Sequence, residues 1–481
     1  MLAADPTGGP DFSTEVRPIL SQHCFKCHGP DDQSRKSNLR LDVRDAALQP
    51  AKSGAVALVP GKPHSSELVT RIHSRDPDEV MPPPSTRQPL TDKEKKTLEA
   101  WIAAGAEYVP HWAFQRPKFV TPPQVDNAPW ARNPIDQFVL QRLQQHGVAP
   151  SEAADPHALA RRVSLDLTGL PPTPAEVEAF LKDPSDAGYE HWVDQLLASP
   201  RYGERWGRRW MDLARYADTN GYEKDRTRSI WPWRDWVIHA FNSNYSYKKF
   251  VTWQLAGDLI PGANKEMLLA TGFNRNHKIT QEGGVIDEEY RVEYINDRTS
   301  TFGKSFLALT FECSKCHDHK YDPISQKDYY STYAFFNQVP EKGFFGSIDA
   351  SFADPPNMRI TSKDVNSLLK FINKRDTFAV DVMVMKDSAN MRKTHILSRG
   401  NYDMPTFEVG VGIPKSILPY STAKYGQNRL GLVRWMFDDA NPLTSRVFVN
   451  RIWAQFFGRG IVKTLGDFGM QGELPTHPEL L

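Results

Sequence analysis

The sequence predicts a mainly α protein built of several modules. Three observations predict it: helical spacing of apolar residues over most of the chain, a proline-rich stretch that sets a short N-terminal part apart from a longer one, and a C-x-x-C-H motif in each part. The expected division is a small helical module at 1–110, a linker at 111–132, a larger mostly helical module at 133–340, a small β-containing region at 341–420 and the start of a further helical module at 421–481. A chain of 481 residues has enough material for separate buried cores.

Composition narrows the function. A hydrophobic fraction of 40% with 24% charged residues is that of a folded globular chain, so disorder is not indicated. Lys+Arg 59 against Asp+Glu 58 leaves a formal net charge of +1, and no basic excess asks for nucleic acid. No apolar run is long enough to span a bilayer.

In the first module, Phe12 to Leu20 spaces Val16, Ile19 and Leu20 as one helical face and leads into Cys24-Phe25-Lys26-Cys27-His28. Thr91-Asp92-Lys93-Glu94 is a capping box that opens a second helix carrying Leu98, Trp101 and Ile102, closed by Gly105. The linker holds Pro110, Pro117, Pro122, Pro123 and Pro129, which stiffen it. Beyond it, Phe138, Leu140 and Leu143 share a face, as do Trp192, Leu196 and Leu197, and Arg161 to Pro172 reads as a helix stopped by Gly169. Asp287 to Leu309 reads as a long helix with a stripe of Ile295, Phe302, Phe306 and Leu309. It feeds Cys313-Ser314-Lys315-Cys316-His317. Val380 to Met385 and His395 to Leu397 alternate as strands do.

The two C-x-x-C-H motifs use all four cysteines of the chain. Each pair of thiols can add across the two vinyl groups of a haem, and the adjoining His28 or His317 can ligate the iron. Zinc held by one pair or by both, or a redox dithiol, is the other chemistry open to paired cysteines, but neither needs the histidine. Met81, in the extended run Val80-Met81-Pro82-Pro83-Pro84, is the expected distal ligand of the first iron, with His64 and His73 as alternatives. For the second iron the distal candidate is His277. His319 is too close along the chain to reach the far face.

Haem c is therefore the expected cofactor. Thioether attachment belongs to the exported side of the bacterial membrane, so a periplasmic or otherwise exported location follows. Met1-Leu2-Ala3-Ala4-Asp5 has neither a basic nor an apolar signal region, and a sequence trimmed at its start reconciles the two.

Between the motifs, Arg205 to Asp225 and Trp231 to Trp236 crowd five tryptophans among arginines and acids. Asp218, Asn220, Glu223 and Asp225 around Gly221 could hold a hard cation such as calcium, although the spacing is not that of an EF-hand. Asp218, Glu223, Asp225 and Arg234 are the candidate catalytic residues if a paired-acid site exists here, with the tryptophans stacking on a carbohydrate. A buried arginine–aspartate network with tryptophan packing accounts for the same residues.

The residues of the first module resemble the planctomycete-type cytochrome c domain: Phe12 to Leu20, the motif with Gly29-Pro30, Asn38 to Asp42, Pro60-Gly61, Met81-Pro82-Pro83 and Trp101 to Ala106. The resemblance implies a small helical cytochrome c fold with one covalent haem, and it supports Met81. Tyr202 to Trp206, Asp212 to Asp218, Trp233 to Ile238, Glu282-Gly283-Gly284 and Cys316 to Lys320 resemble the domain of unknown function usually fused to that cytochrome. Leu443 to Trp453 resembles the opening of a second such domain, which would continue past Leu481. Together these imply an exported electron-transfer protein with a redox partner. The alternatives are a haem-dependent oxidoreductase acting on a small molecule or carbohydrate through its central module, and a zinc-bound structural protein.

Overall fold

A computed structural model describes residues 9–29, 35–51, 53–126, 130–222, 224–344, 353–373 and 379–481. Asp11 starts the first module by accepting the Thr14 N–H at 2.7 Å, and a π-turn (Phe12–Val16) runs into α1 (Arg17–His23). Then come α2 (Phe25–His28), α3 (Arg44–Ala47), α4 (Glu67–His73) and α5 (Asp92–Ala103). The expected Thr91–Glu94 capping box is formed. Val16, Leu20, Phe25, Leu58, Ile72, Leu98, Trp101 and Ile102 make one core, each large side chain contributing about 1.5–3 kcal/mol on burial.

The start of the proline-rich stretch is seated against the rest of the fold, whereas 116–121 are exposed. Ala113 is fully buried, Trp112 packs on Phe468 at 5.2 Å, and Arg446 donates to the carbonyls of Trp112 and Gln115. After α6 (Pro134–Gln145), the helices α7 (Pro156–Thr168), α8 (Pro174–Leu181) and α9 (Asp186–Ala198) enclose a small core of Val163, Leu167, Phe180, Trp192 and Leu196. Gly169, at φ +74°, ends α7 where the chain needs a left-handed residue.

Helices α10 (Pro200–Ala214) and α11 (Trp231–Asn242) cross closely. A Cβ at Gly203 would stand 2.4 Å from the Ile238 carbonyl, so only glycine permits this approach. They enter the largest core with α12 (Tyr247–Ala256), α13 (Lys265–Ala270), α14 (Asp287–Phe302) and α15 (Gln326–Tyr333). The expected long helix stops seven residues early: α14 gives way at Gly303 to a π-turn (Gly303–Leu307), because Gly303 packs against the Phe311 ring.

Two antiparallel pairs are the sheets among the described residues: β1 (Asn357–Thr361) with β2 (Ala379–Met383), and β3 (Thr394–Leu397) with β4 (Pro405–Val409). After α16 (Ser362–Asn366) and α17 (Thr422–Tyr425), the chain closes with α18 (Arg429–Met436) and α19 (Thr444–Phe457). Leu432, Trp435 and Val447 enter the large core, while Val449, Phe456 and Phe457 stay exposed on α19. No helix among the described residues is long and apolar enough to cross a membrane.

Candidate functional site

Both C-x-x-C-H motifs close on the carbonyl of their first cysteine, the first as the short helix α2 and the second at the end of a looser 3-10 turn (Glu312–Lys315). The Cys24 carbonyl accepts the N–H groups of Cys27 at 3.1 Å and His28 at 2.8 Å, and the Cys313 carbonyl accepts those of Cys316 at 3.3 Å and His317 at 3.5 Å. This closure sets both thiols and the imidazole on one short stretch, as attachment to a single porphyrin requires.

At the first motif the turn is half sunk in its core. Phe25 is buried and Cys24 packs against the same cluster. Burial, with a smaller effect from Cys27, pushes the Cys24 thiol up to about 12. A protonated thiol facing apolar side chains suits the edge of a porphyrin and is unsuited to a redox dithiol. The Nδ1 of His28 is buried without a hydrogen-bond partner. Burial lowers the His28 pKa against an opposing effect from the Lys36 backbone, so the ring is held neutral, the form that binds iron. The residues therefore fit a covalent haem. Met81 is half-buried, its N–H donating to the Arg71 carbonyl at the end of α4 at 3.0 Å. His64 is exposed, and His73 is paired with Glu99.

At the second motif Cys313, Cys316 and His317 are all exposed. The His317 Nδ1 lies 2.7 Å from the Asp318 carbonyl, which makes Nδ1 the donor and leaves Nε2 as an open lone pair. A loop at Gly400 passes so near that an added Cβ there would stand 3.1 Å from the Cys316 sulfur. His319 is buried instead: its Nδ1 accepts the Asp322 N–H at 2.8 Å and its Nε2 meets Thr310 Oγ1 at 3.3 Å. It organises the turn after the motif.

The structure brings the two motifs' neighbourhoods together through one residue that the sequence did not single out. Arg17 lies over the Phe25 ring, 5.8 Å from its centroid, and its Nη2 donates to the Tyr321 carbonyl at 3.1 Å. Tyr321 is four residues past His317. An arginine beside Val16, Ile19 and Leu20 carries no sequence signal that separates this role from a solvated helix face.

His277 is placed elsewhere, in a buried charge network. Its Nε2 accepts from Arg298 at 2.9 Å, its Nδ1 donates to the Lys278 carbonyl at 3.0 Å, and its ring stacks on Tyr294. Arg275 and Arg298 both hold Glu341. Burial, reinforced by Arg298 and Arg275, drives the His277 pKa well down. Both ring nitrogens are thus committed within this network, and a metal would have to displace Arg298.

Of the acidic stretch, Asp218 and Asp225 are both exposed, and Glu223 lies outside the described residues. Asp218 accepts from Tyr216 and stands 4.0 Å from Arg234, which itself holds Asp235 at 3.0 Å. Asp225 accepts the Gly221 N–H at 2.6 Å, and that bond lowers its pKa. Among the described residues no three His, Cys, Asp or Glu side chains converge as a metal cluster, so the cysteine pairs do not join into one zinc site there. Four of the five tryptophans, Trp206, Trp210, Trp233 and Trp236, are core residues; Trp233 donates to the Ala270 carbonyl and Trp210 to Gln254. They offer no stacking face to a sugar. A groove of about 500 Å³ instead runs along α14 from Tyr222 and Lys278 past Tyr290 and Asp297 to Lys315 of the second motif.

Residues 24–85 match the family model Planctomycete cytochrome C, residues 134–341 match Protein of unknown function (DUF1549), and residues 428–481 match Protein of unknown function (DUF1553), the last over a short C-terminal part only. No curated protein and no solved structure matches the chain.

Proposed function

From a chain that carries a c-type cytochrome module ahead of two modules of unknown function, we propose an exported electron-transfer protein in which both C-x-x-C-H motifs hold haem c. The observation that carries the second haem, and with it the relay, is the repeated closure on the first cysteine's carbonyl, with the Arg17 bridge setting the two motifs' neighbourhoods side by side. A haem at either motif supplies reversible exchange of one electron at iron. Cys24, Cys27, Cys313 and Cys316 would hold the two groups covalently. His28 and His317 would be the proximal ligands and Met81 the distal ligand of the first iron. The chain's own contribution is to half-bury one site against an apolar core, leave the other at the surface for a redox partner, and fix their separation through Arg17.

A second reading is a haem-dependent oxidoreductase, favoured by the groove that ends at Lys315. In it a polar small molecule would bind along α14 beside an open second haem.

Spectrally monitored redox titration of the matured protein tests the relay. Two one-electron waves are expected, one of which disappears in the Cys313→Ser/Cys316→Ser variant. A single wave that this variant leaves intact sinks the relay. A five-coordinate, high-spin second haem would move the account to the oxidoreductase.

A further inference from the structure

We propose that Arg17 binds a carboxylate of the haem held at Cys24 and Cys27, and so ties that haem to the backbone of Tyr321, four residues past the second motif. This rests on the haem reading above. α1 sets Arg17 one helix ahead of Cys24, with its guanidinium over Phe25, which lies between the two attachment thiols. One nitrogen of the guanidinium is committed to the Tyr321 carbonyl. Its Nε is buried and has no hydrogen-bond partner.

A buried cation needs a compensating charge, and a single carbonyl does not supply one. Six other arginines bury an unpartnered Nε. Arg44, Arg215, Arg275 and Arg429 each hold a carboxylate through their other nitrogens, Glu107, Asp297, Glu341 and Asp258 respectively, whereas Arg205 and Arg451 form no ion pair among the described residues. Of the three without a carboxylate, Arg17 is the one that lies over a residue of a C-x-x-C-H motif. Arg17 has no such partner among the ion pairs of the described residues.

The titratable groups facing Arg17 are Asp322, Asp42, Tyr108 and His111. Asp42 is held by Arg40, and Asp322 accepts the Met470 N–H at 2.7 Å and lies against His319. Tyr108 donates to the Leu41 carbonyl. His111 is pushed down to about 4 by burial and by Arg17 itself, so it is neutral near pH 7. The two acids nearby thus answer to other groups. Haem attached at Cys24 and Cys27 brings two carboxylates into the same module, and a guanidinium with an unused N–H is the side chain that pairs with a carboxylate in a low-dielectric setting.

The test compares the wild-type chain, Arg17→Met, Arg17→Gln and Arg17→Lys, each matured with haem, by haem content and by the midpoint potential of the first haem from pH 5 to pH 8. The wild-type potential is expected to be flat. In Arg17→Met and Arg17→Gln it is expected to fall as pH rises, because a carboxylate no longer held ionised titrates in this window and its negative charge favours ferric iron. Arg17→Lys is expected to restore the flat profile. His111 would give a fall of the same sign once relieved of Arg17, so Arg17→Met/His111→Gln is the control, and the fall must persist in it.

Two results overturn the assignment: profiles of Arg17→Met and Arg17→Gln that match wild type with haem attached, or a fall abolished by His111→Gln. Absence of covalent haem at Cys24 and Cys27 in the wild-type chain overturns the underlying haem reading instead.

Discussion

Cys24–His28 and Cys313–His317 share closure on the first cysteine's carbonyl and almost nothing else. Around the first, Phe25 is buried, the Cys24 thiol is pushed up to about 12 and His28 has an unpartnered buried Nδ1. Around the second, both thiols and the imidazole are exposed, and Nδ1 is already tied to the Asp318 carbonyl. Spacing along the chain fixes which atoms can meet one porphyrin. Surroundings from distant parts of the chain fix what that porphyrin would touch. The first motif is partly sheltered by its core and the second lies at the surface.

The largest test of this contrast is Phe25→Ala, which removes a buried ring between the first pair of thiols. It should cost about 3–5 kcal/mol in denaturant unfolding of the unloaded chain. A cost under about 1 kcal/mol would mean that the first motif is not sheltered.

Thiol labelling of the unloaded chain at pH 8 comes next. Cys313 and Cys316 should react first, with Cys24 at least about tenfold slower because burial suppresses its thiolate. Equal rates at all four cysteines would erase the distinction.

Acid should weaken the first module and the start of the linker through their neutral histidines. His28 and His111 have lowered pKa values in the folded chain, so the folded state binds fewer protons than the unfolded one below about pH 6.5, the ordinary histidine value. Stability contributed by neutral His111 is therefore lost as pH falls from about 6.5 to about 4, and no further below that. His111→Gln should flatten the decline in Tm between pH 7 and pH 5. The smallest effect belongs to Lys315→Ala in the second motif, which breaks a partly exposed pair with Glu293 and should cost less than about 1 kcal/mol.

The helical class, the capping box at Thr91 and the stop at Gly169 were legible because each rests on neighbours in the chain. The early end of α14 was not, since it depends on Phe311 meeting Gly303. His277 looked like a free ligand in Asn274-Arg275-Asn276-His277, yet its partners Arg298 and Glu341 come from 21 and 64 residues away. Trp206, Trp210, Trp233 and Trp236 were visible as a cluster, but nothing in their spacing separates a core from a stacking surface. Arg17 was invisible for the same reason, its meaning coming from Tyr321 across the fold.

If both motifs mature as proposed, the chain holds two haems. Matured protein, denatured and weighed intact, with its haem counted by pyridine haemochrome against protein mass, tests it most directly. The account predicts two covalent haems per chain, falling to one in Cys24→Ser/Cys27→Ser and to one in Cys313→Ser/Cys316→Ser. A single haem in the wild type that survives loss of Cys313 and Cys316 contradicts it and confines redox chemistry to the first module.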